Sequence, residues 1–343
     1  MRFGWILPHL GCFGSIREVL ELSNALVDAG HDVTVHTPDG EPCRWLPYNG
    51  QVATCEQVPQ TDYDLMLMVS EWRRGDYDLL LASPSRMRGV VMMGFTPGCE
   101  LAELLHDWSH TPSGGTKVLA AALQNPDLVV FADGAWQLDW LAQNVGTMQA
   151  KIGIALGGVN SRMFRPSTEG NGDVAIGASG DSRGRKGSDT VREAAAIICN
   201  KHPRLILRNY WGTPTQESLV TFLQETTIFL DGHRRGGWCN PVLEAMACGC
   251  AVVCTEIGAT EFVIDGVNGR RVPMDDAETM ADVVLWYLGD EGRIRRIAIK
   301  ARETAESLDY RQVAPRLVKY VEGNSEHSTI AIGQPDCSGA LQG

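Results

Sequence analysis

The ten residues Asn-Pro-Val-Leu-Glu-Ala-Met-Ala-Cys-Gly (240–249) form a short helix whose start is dressed to hold an anion. Asn240 is a good N-cap, Pro241 suits the first helical position, and Gly249 is a natural stop. Before the cap, Gly236, Gly237, Trp238 and Cys239 make a loop open enough for backbone N–H groups to approach a ligand. After the stop, Cys250–Thr255 has the pattern of a buried strand. A glycine-rich loop at a helix N-terminus, beside a parallel strand, is an arrangement that binds phosphate. Glu244, one turn inside, is misplaced for a core residue and well placed to accept two hydroxyl protons from a ribose.

A second anion-binding signal lies in Gly-Ala-Ser-Gly-Asp-Ser-Arg-Gly-Arg-Lys-Gly (177–187). It brings Arg183, Arg185 and Lys186 together just before a helix, in a chain that is otherwise acidic. His233, Arg234 and Arg235 are further polar candidates. Gly11 and Gly14 follow the first strand, where any tight strand-to-helix turn wants glycine. The dinucleotide fingerprint Gly-x-Gly-x-x-Gly is absent from that turn, which removes the main support for a nicotinamide site. Cys239, Cys248, Cys250 and Cys254 are close in sequence, but not at the spacing of a zinc site, and read as small buried residues. Asp62-Tyr-Asp64 and Asp76-Tyr-Asp78 each precede a strand, where turn aspartates are common. No metal is expected.

The elements that position these residues alternate. Phe3–Leu7 reads as a strand, Pro8–Gly14 as a loop, and Ser15 as the start of a helix with a Ser15/Glu18 capping box. Val19, Leu22, Leu26 and Ala29 are its buried stripe, and Gly30 ends it. Asp32–Thr37, Leu65–Val69, Leu79–Leu81, Val90–Met93 and Leu128–Phe131 follow as strands, with a helical stretch at Glu100–His106. Pro166–Asp173 is a polar linker. The pattern then restarts with strands at Val174–Ile176, Leu205–Leu207, Ile228–Leu230 and Ala251–Val253. Helices are expected at Ser188–Asn200, 241–248, Ala277–Leu288 and Arg293–Leu308. Such alternation predicts parallel sheets wrapped by helices.

The chain has 343 residues, enough for two domains, with 44% hydrophobic and 21% charged residues. The expected organisation is a Rossmann-like domain over 1–165, a linker at 166–173, a second Rossmann-like domain over 174–308, a helix at 309–322 returning to the first domain, and a disordered tail at 323–343. A net charge of −12 argues against a broad grip on nucleic acid or anionic membrane. Ten cysteines without a regular framework point to reduced thiols and a cytoplasmic setting. No apolar run reaches the length of a membrane span.

Four segments, in order, resemble the family 4 glycosyltransferases of two-Rossmann (GT-B) architecture. They are 18–38 (Glu-Val-Leu-Glu-Leu-Ser-Asn-Ala-Leu-Val-Asp-Ala-Gly-His-Asp-Val-Thr-Val-His-Thr-Pro), 157–166 (Gly-Gly-Val-Asn-Ser-Arg-Met-Phe-Arg-Pro), the helix at 240–249, and 258–273 (Gly-Ala-Thr-Glu-Phe-Val-Ile-Asp-Gly-Val-Asn-Gly-Arg-Arg-Val-Pro). The resemblance implies a retaining, metal-independent enzyme with two sheets facing each other across a cleft. The second domain would hold a nucleoside-diphosphate sugar, the first an unknown acceptor, and no cofactor would be required.

On that resemblance Lys186, with Arg183 or Arg185, stabilises the departing diphosphate, and Glu244 holds the ribose. Backbone around Gly237, Trp238 and Cys239 seats the sugar, beside Asn240, while Gly11 and Gly14 approach from the first domain. Two positions depart from the family. Asp181 and Gly180 stand near where an arginine is usual, and Gly236 replaces the first glutamate of a Glu-x7-Glu pair. The stretch 90–98 lacks the family's histidine; His106 and His110 follow it. Tyr210, Trp211 and Gly212 are candidates beside the base, and Trp108, Trp136 and Trp140 on the acceptor side. A catalytically degenerate sugar-nucleotide-binding subunit, or an epimerase or phosphorylase, remains an alternative.

Overall fold

The computed structural model describes residues 1–69, 74–93, 114–145, 148–168, 174–211 and 215–324. The expected helix at Glu100–His106, His106, His110, Trp108 and Gly212 lie outside these residues, as do positions 94–98 of the stretch 90–98 and most of the expected tail. The side chains of Tyr210 and Trp211 do too.

Two parallel sheets organise the chain. Among the described residues the first has seven strands: β1 (Arg2–Ile6), β2 (Asp32–Thr37), β3 (Gln51–Thr54), β4 (Leu65–Val69), β5 (Met87–Met92), β6 (Leu128–Ala132) and β7 (Lys151–Ala155). Their order is 3-2-1-4-5-6-7, with every pairing parallel. The second, again among the described residues, has five: β8 (Ala175–Gly180), β9 (Ile206–Trp211), β10 (Ile228–Asp231), β11 (Ala251–Thr255) and β12 (Arg270–Val272), in the order 12-11-10-8-9. Central strands such as Leu-Met-Leu-Met-Val in β4 are buried along their whole length. This is why they read as continuous apolar runs rather than alternating ones. The architecture is the expected α/β pair of Rossmann-like sheets.

The helices are α1 (Gly14–Asp28), α2 (Arg74–Ala82), α3 (Gly114–Leu123), α4 (Ala135–Asn144), α5 (Ser188–Lys201), α6 (Gln216–Gln224), α7 (Asn240–Ala247), α8 (Ala277–Leu288), α9 (Glu291–Ser307) and α10 (Tyr310–Gly323). Leu79–Leu81 belongs to α2 and is not a strand. A three-residue apolar run fits either period, and here only Leu80 is fully buried while Leu81 is exposed. Asp76 is therefore a helical residue, not a turn aspartate. The Ser15/Glu18 capping box does not form: α1 starts at Gly14 behind Phe13, with no side-chain cap. Val19, Leu22 and Leu26 are buried as expected, but Ala29 is exposed beyond the helix end. Gly30, at φ +86°, supplies the left-handed stop.

The last helix joins the halves. Tyr310, Val313, Ala314, Leu317 and Val321 of α10 pack in the core of the first sheet, against α1 residues such as Ile16 and Leu20. Asp309 fixes this return. Its Oδ2 accepts from the Ser161 backbone at 2.8 Å and the Ser161 hydroxyl at 2.6 Å, and its Oδ1 from the Arg311 backbone at 2.8 Å. Burial pushes this carboxyl up, but the bonds from Arg311 and Ser161 outweigh it and hold it at about 2.

Candidate active site

Strand order reverses in the second sheet between β8 and β10, and ligands of open α/β sheets bind outside the carboxyl ends of strands at such a point. The two loops leaving these strands, 181–187 and 232–239, carry most of the expected site. They are locked together by backbone contact. Gly187 sits at φ +59°, and a Cβ there would come within 1.8 Å of the Gly232 carbonyl oxygen. Only two glycines allow this approach. The Arg234 amide then donates to the Arg185 carbonyl at 2.9 Å. The Arg234 side chain donates to the Gly184 carbonyl and pairs with Asp189 at 2.7 Å and Asp275 at 2.6 Å.

Lys186 closes a short 3₁₀ turn, Gly184–Lys186, and its amine meets Nε2 of His233. Burial takes that ammonium out of water and lowers its pKa, an effect that Cys239 and Asp231 partly offset. His233 Nδ1 lies 2.8 and 2.7 Å from the two oxygens of Asp231, and Cys239 Sγ lies 3.5 Å from Oδ1. Burial pushes the Asp231 carboxyl up, but the electrostatic pull of His233, its ring and backbone hydrogen bonds and the charge of Lys186 outweigh it and hold the carboxyl below its usual value. Burial drives the Cys239 thiol well above its usual value, so it is a neutral donor. Asp231, His233 and Cys239 place metal-ligating atoms within 4.8 Å of one another, and hydrogen bonds among them account for that proximity.

The other cations differ. Arg183 turns back to Asp181, with Nε 2.9 and 3.0 Å from its two oxygens, so its charge is largely neutralised within its own loop. Asp181 is held at about 2, first by that side-chain bond. Arg185 is half-buried beside Lys186.

Helix α7 is where the sequence placed it, with one shift at its start. Cys239 is the N-cap and Asn240 the first helical residue, and the Asn240 side chain donates from Nδ2 to Glu18 Oε1 of α1. The Cys239 amide is not open to a ligand; it donates to the Ala259 carbonyl at 3.1 Å. Gly249, at φ +82°, ends the helix as expected. The Trp238 ring packs against Phe262, centroids 4.7 Å apart and planes tilted by 51°, and lies where a Cβ on Gly157 would come within 2.8 Å of it. Glu244 is buried, and its Oε1 accepts from Arg17 Nη1 of α1 at 2.6 Å. Burial raises the Glu244 pKa, against the pull of Arg17.

The first domain therefore reaches this site directly. A Cβ on Gly14 would come within 3.4 Å of the Asn240 amide nitrogen. Gly11 donates its amide to His9 Nδ1 at 3.0 Å, which shapes the loop after β1. On the other side, Trp136 of α4 donates its indole N–H to the Gly237 carbonyl at 2.9 Å. Glu261 caps α4 across the cleft, accepting from the Ala135 amide at 2.7 Å and the Trp136 amide at 2.9 Å. A carboxylate at a helix N-terminus is favoured by the helix dipole as well as by the bonds. Trp140, half-buried, packs against the core of the first sheet instead.

Arg17, Glu18, Asp231 and Glu261 belong to this arrangement, and sequence reasoning gave them no site role. Arg17 and Glu244 are 227 residues apart, and no local signal pairs them. The acidic Glu261, three residues past Gly258 in a segment already marked by resemblance, was the one visible cue.

Residues 176–290 match the family described as glycosyl transferases group 1. The match spans both loops and α7. A phosphatidyl-myo-inositol mannosyltransferase of Mycolicibacterium smegmatis is 24% identical over 94% of each chain. A Campylobacter jejuni N-acetylgalactosaminyltransferase that acts on a diphospho-undecaprenol glycan is 33% identical over 25% of this chain and 24% of its own. In structure, the sucrose-phosphate synthase of Thermosynechococcus elongatus superposes with a TM-score of 0.70 at 16% identity, over 94% of this chain and 99% of that one. HepE of Anabaena, solved with UDP and glucose, gives 0.68 at 13% identity, over 94% and 100%. No helix among the described residues is long and apolar enough to cross a membrane. The chain is a glycosyltransferase built on two Rossmann-like domains.

Proposed function

We propose that this enzyme moves a sugar from a nucleoside-diphosphate sugar to an acceptor hydroxyl, with retention at the anomeric carbon and without a metal. The observation that carries the reading is the junction of two loops at the β8/β10 switch point. There Lys186 stands against the loop that opens α7.

A departing diphosphate needs cations and N–H donors fixed where its charge develops. Lys186 and Arg185 are the cations suited to this. Arg183 is tied to Asp181 and contributes less. The α7 start adds the positive end of a helix, though the Cys239 amide is already used. Glu244 takes the ribose hydroxyls by exchanging them for Arg17, so donor entry and the interdomain ion pair are coupled. In the transfer itself the bond between the anomeric carbon and the phosphate oxygen breaks as the acceptor oxygen bonds the same face. The leaving phosphate oxygen takes the acceptor's proton, so no strongly basic side chain is required. The domain contacts made by Glu261, Trp136 and Asn240 exclude water that would otherwise hydrolyse the donor.

The sugar and base are open: one relative is named for mannosyl transfer, and one structural neighbour holds UDP and glucose. Incubation with uridine, guanosine and adenosine diphosphate sugars, followed by assay of released nucleoside diphosphate, tests the reading. Slow release from at least one donor is expected; release from none contradicts it.

A further inference from the structure

We propose that His233, held by Asp231, is the positioning residue for Lys186. The pair fixes the amine as a diphosphate ligand, and the proposal rests on the donor-site reading above. The argument begins with the two glycines. The Gly187–Gly232 contact sets two loops at backbone distance, so the neighbouring residues Lys186 and His233 must meet. The imidazole has little freedom. Its ring is buried, and Nδ1 lies within 2.8 Å of both Asp231 oxygens. A carboxylate accepts only, so Nδ1 carries the proton. Nε2 abuts an ammonium that has only hydrogens to offer, so it presents its lone pair.

The tautomer is thereby set from both ends, as when a carboxylate orients a metal-bound histidine. Lys186 gives one hydrogen to Nε2 and keeps two for phosphate oxygens. A lysine otherwise brings four rotatable bonds and a strongly hydrated head to a site. Here its head is fixed before the donor arrives. The buried carboxylate of Asp231 also offsets part of what burial costs the Lys186 ammonium. Arg234 holds the loop frame through Gly184 and Arg185, so His233 is left to act on the amine alone.

The test measures binding of inorganic pyrophosphate by calorimetry, with the unliganded melting temperature recorded beside it. His233→Leu should weaken binding roughly ten- to hundredfold, the usual worth of a hydrogen bond to a charged group. His233→Gln, which can present an amide oxygen to the amine, should recover most of it. Because His233→Leu strands the Asp231 carboxylate, the Asp231→Asn/His233→Leu chain, which strands no carboxylate, is measured as well and should show at least the same weakening.

In a Lys186→Ala background the His233 changes should add nothing, since they act only through the amine. Equal binding by the Leu, Gln and paired variants and the natural chain would overturn the proposal. So would losses that simply add to that of Lys186→Ala. If Lys186→Ala itself leaves pyrophosphate binding unchanged, the donor-site reading fails and this proposal with it. If Lys186→Ala weakens binding and the His233 variants do not, only the positioning role is lost.

Discussion

Arg17 Nη1 and Glu244 Oε1 stand 2.6 Å apart across the two domains, one on the first helix and the other on α7, the helix that follows the 232–239 loop. Both side chains are withdrawn from water, and Arg17 also lies 5.7 and 5.8 Å from the Trp45 and Phe164 rings. Removing one partner of a buried pair leaves the other charge uncompensated, which costs about 3 kcal/mol or more. Arg17→Met should therefore lower unfolding stability by about that amount, and Arg17→Met/Glu244→Gln should regain most of it. Chemical denaturation of the three chains measures this. Equal stability of Arg17→Met and the natural chain would show that the pair contributes nothing.

Glu21 gives a pH dependence of definite sign. Burial raises its pKa from about 4.5 to about 7, against the hydrogen bond from Asn160 at 2.8 Å. The folded chain then holds a proton that the unfolded chain has lost. Stability should fall as pH rises from about 4.5 to 7, by about 3 kcal/mol in all. Glu21→Gln, which keeps the acceptor for Asn160, should flatten that slope and be the more stable chain at pH 8. Denaturant midpoints at pH 5 and pH 8 check both statements.

Asp309 has the opposite sign. Its carboxyl, near 3.8 when unfolded, is held at about 2. Its stabilisation, about 2 kcal/mol, should be complete above pH 4 and lost as pH falls through 2. Asp309→Asn should remove it at neutral pH and loosen α10 from the first sheet. Hydrogen exchange over residues 310–323 reads that loosening directly.

Most of the fold was legible because parallel strands buried on both faces advertise themselves as apolar runs, as in β4, β6 and β11. Glycines at 30 and 249 marked helix ends by the φ they permit. The short strands β3, β7 and β12 escaped notice. Gln51–Thr54 is nowhere fully buried, and Arg270–Val272 has two arginines in three residues, so neither carries a burial pattern. In the site, Lys186, Arg185, Asn240 and Glu244 were visible from helix chemistry and from resemblance. What each side chain touches was not. Asn240 reads as a cap and Ser15/Glu18 as a capping box, yet the Asn240 amide and the Glu18 carboxylate find each other across the cleft. Local rules cannot weigh a partner 222 residues away.

Gly187 isolates the loop contact from the charges. A side chain there meets the Gly232 carbonyl and a left-handed φ together, so Gly187→Ala must move one loop. The expected result is a rise in donor KM with a smaller change in acceptor KM, because the first domain is untouched. Steady-state kinetics with each substrate varied in turn measures the split. Unchanged donor KM would mean that the Lys186 turn does not depend on this approach.

The most direct test of the whole account is nucleoside diphosphate release from a cognate sugar nucleotide by the natural chain and by Lys186→Ala. The account predicts turnover by the first and a loss of about a hundredfold or more in the second, with the melting temperature preserved. Equal rates in the two chains would contradict it.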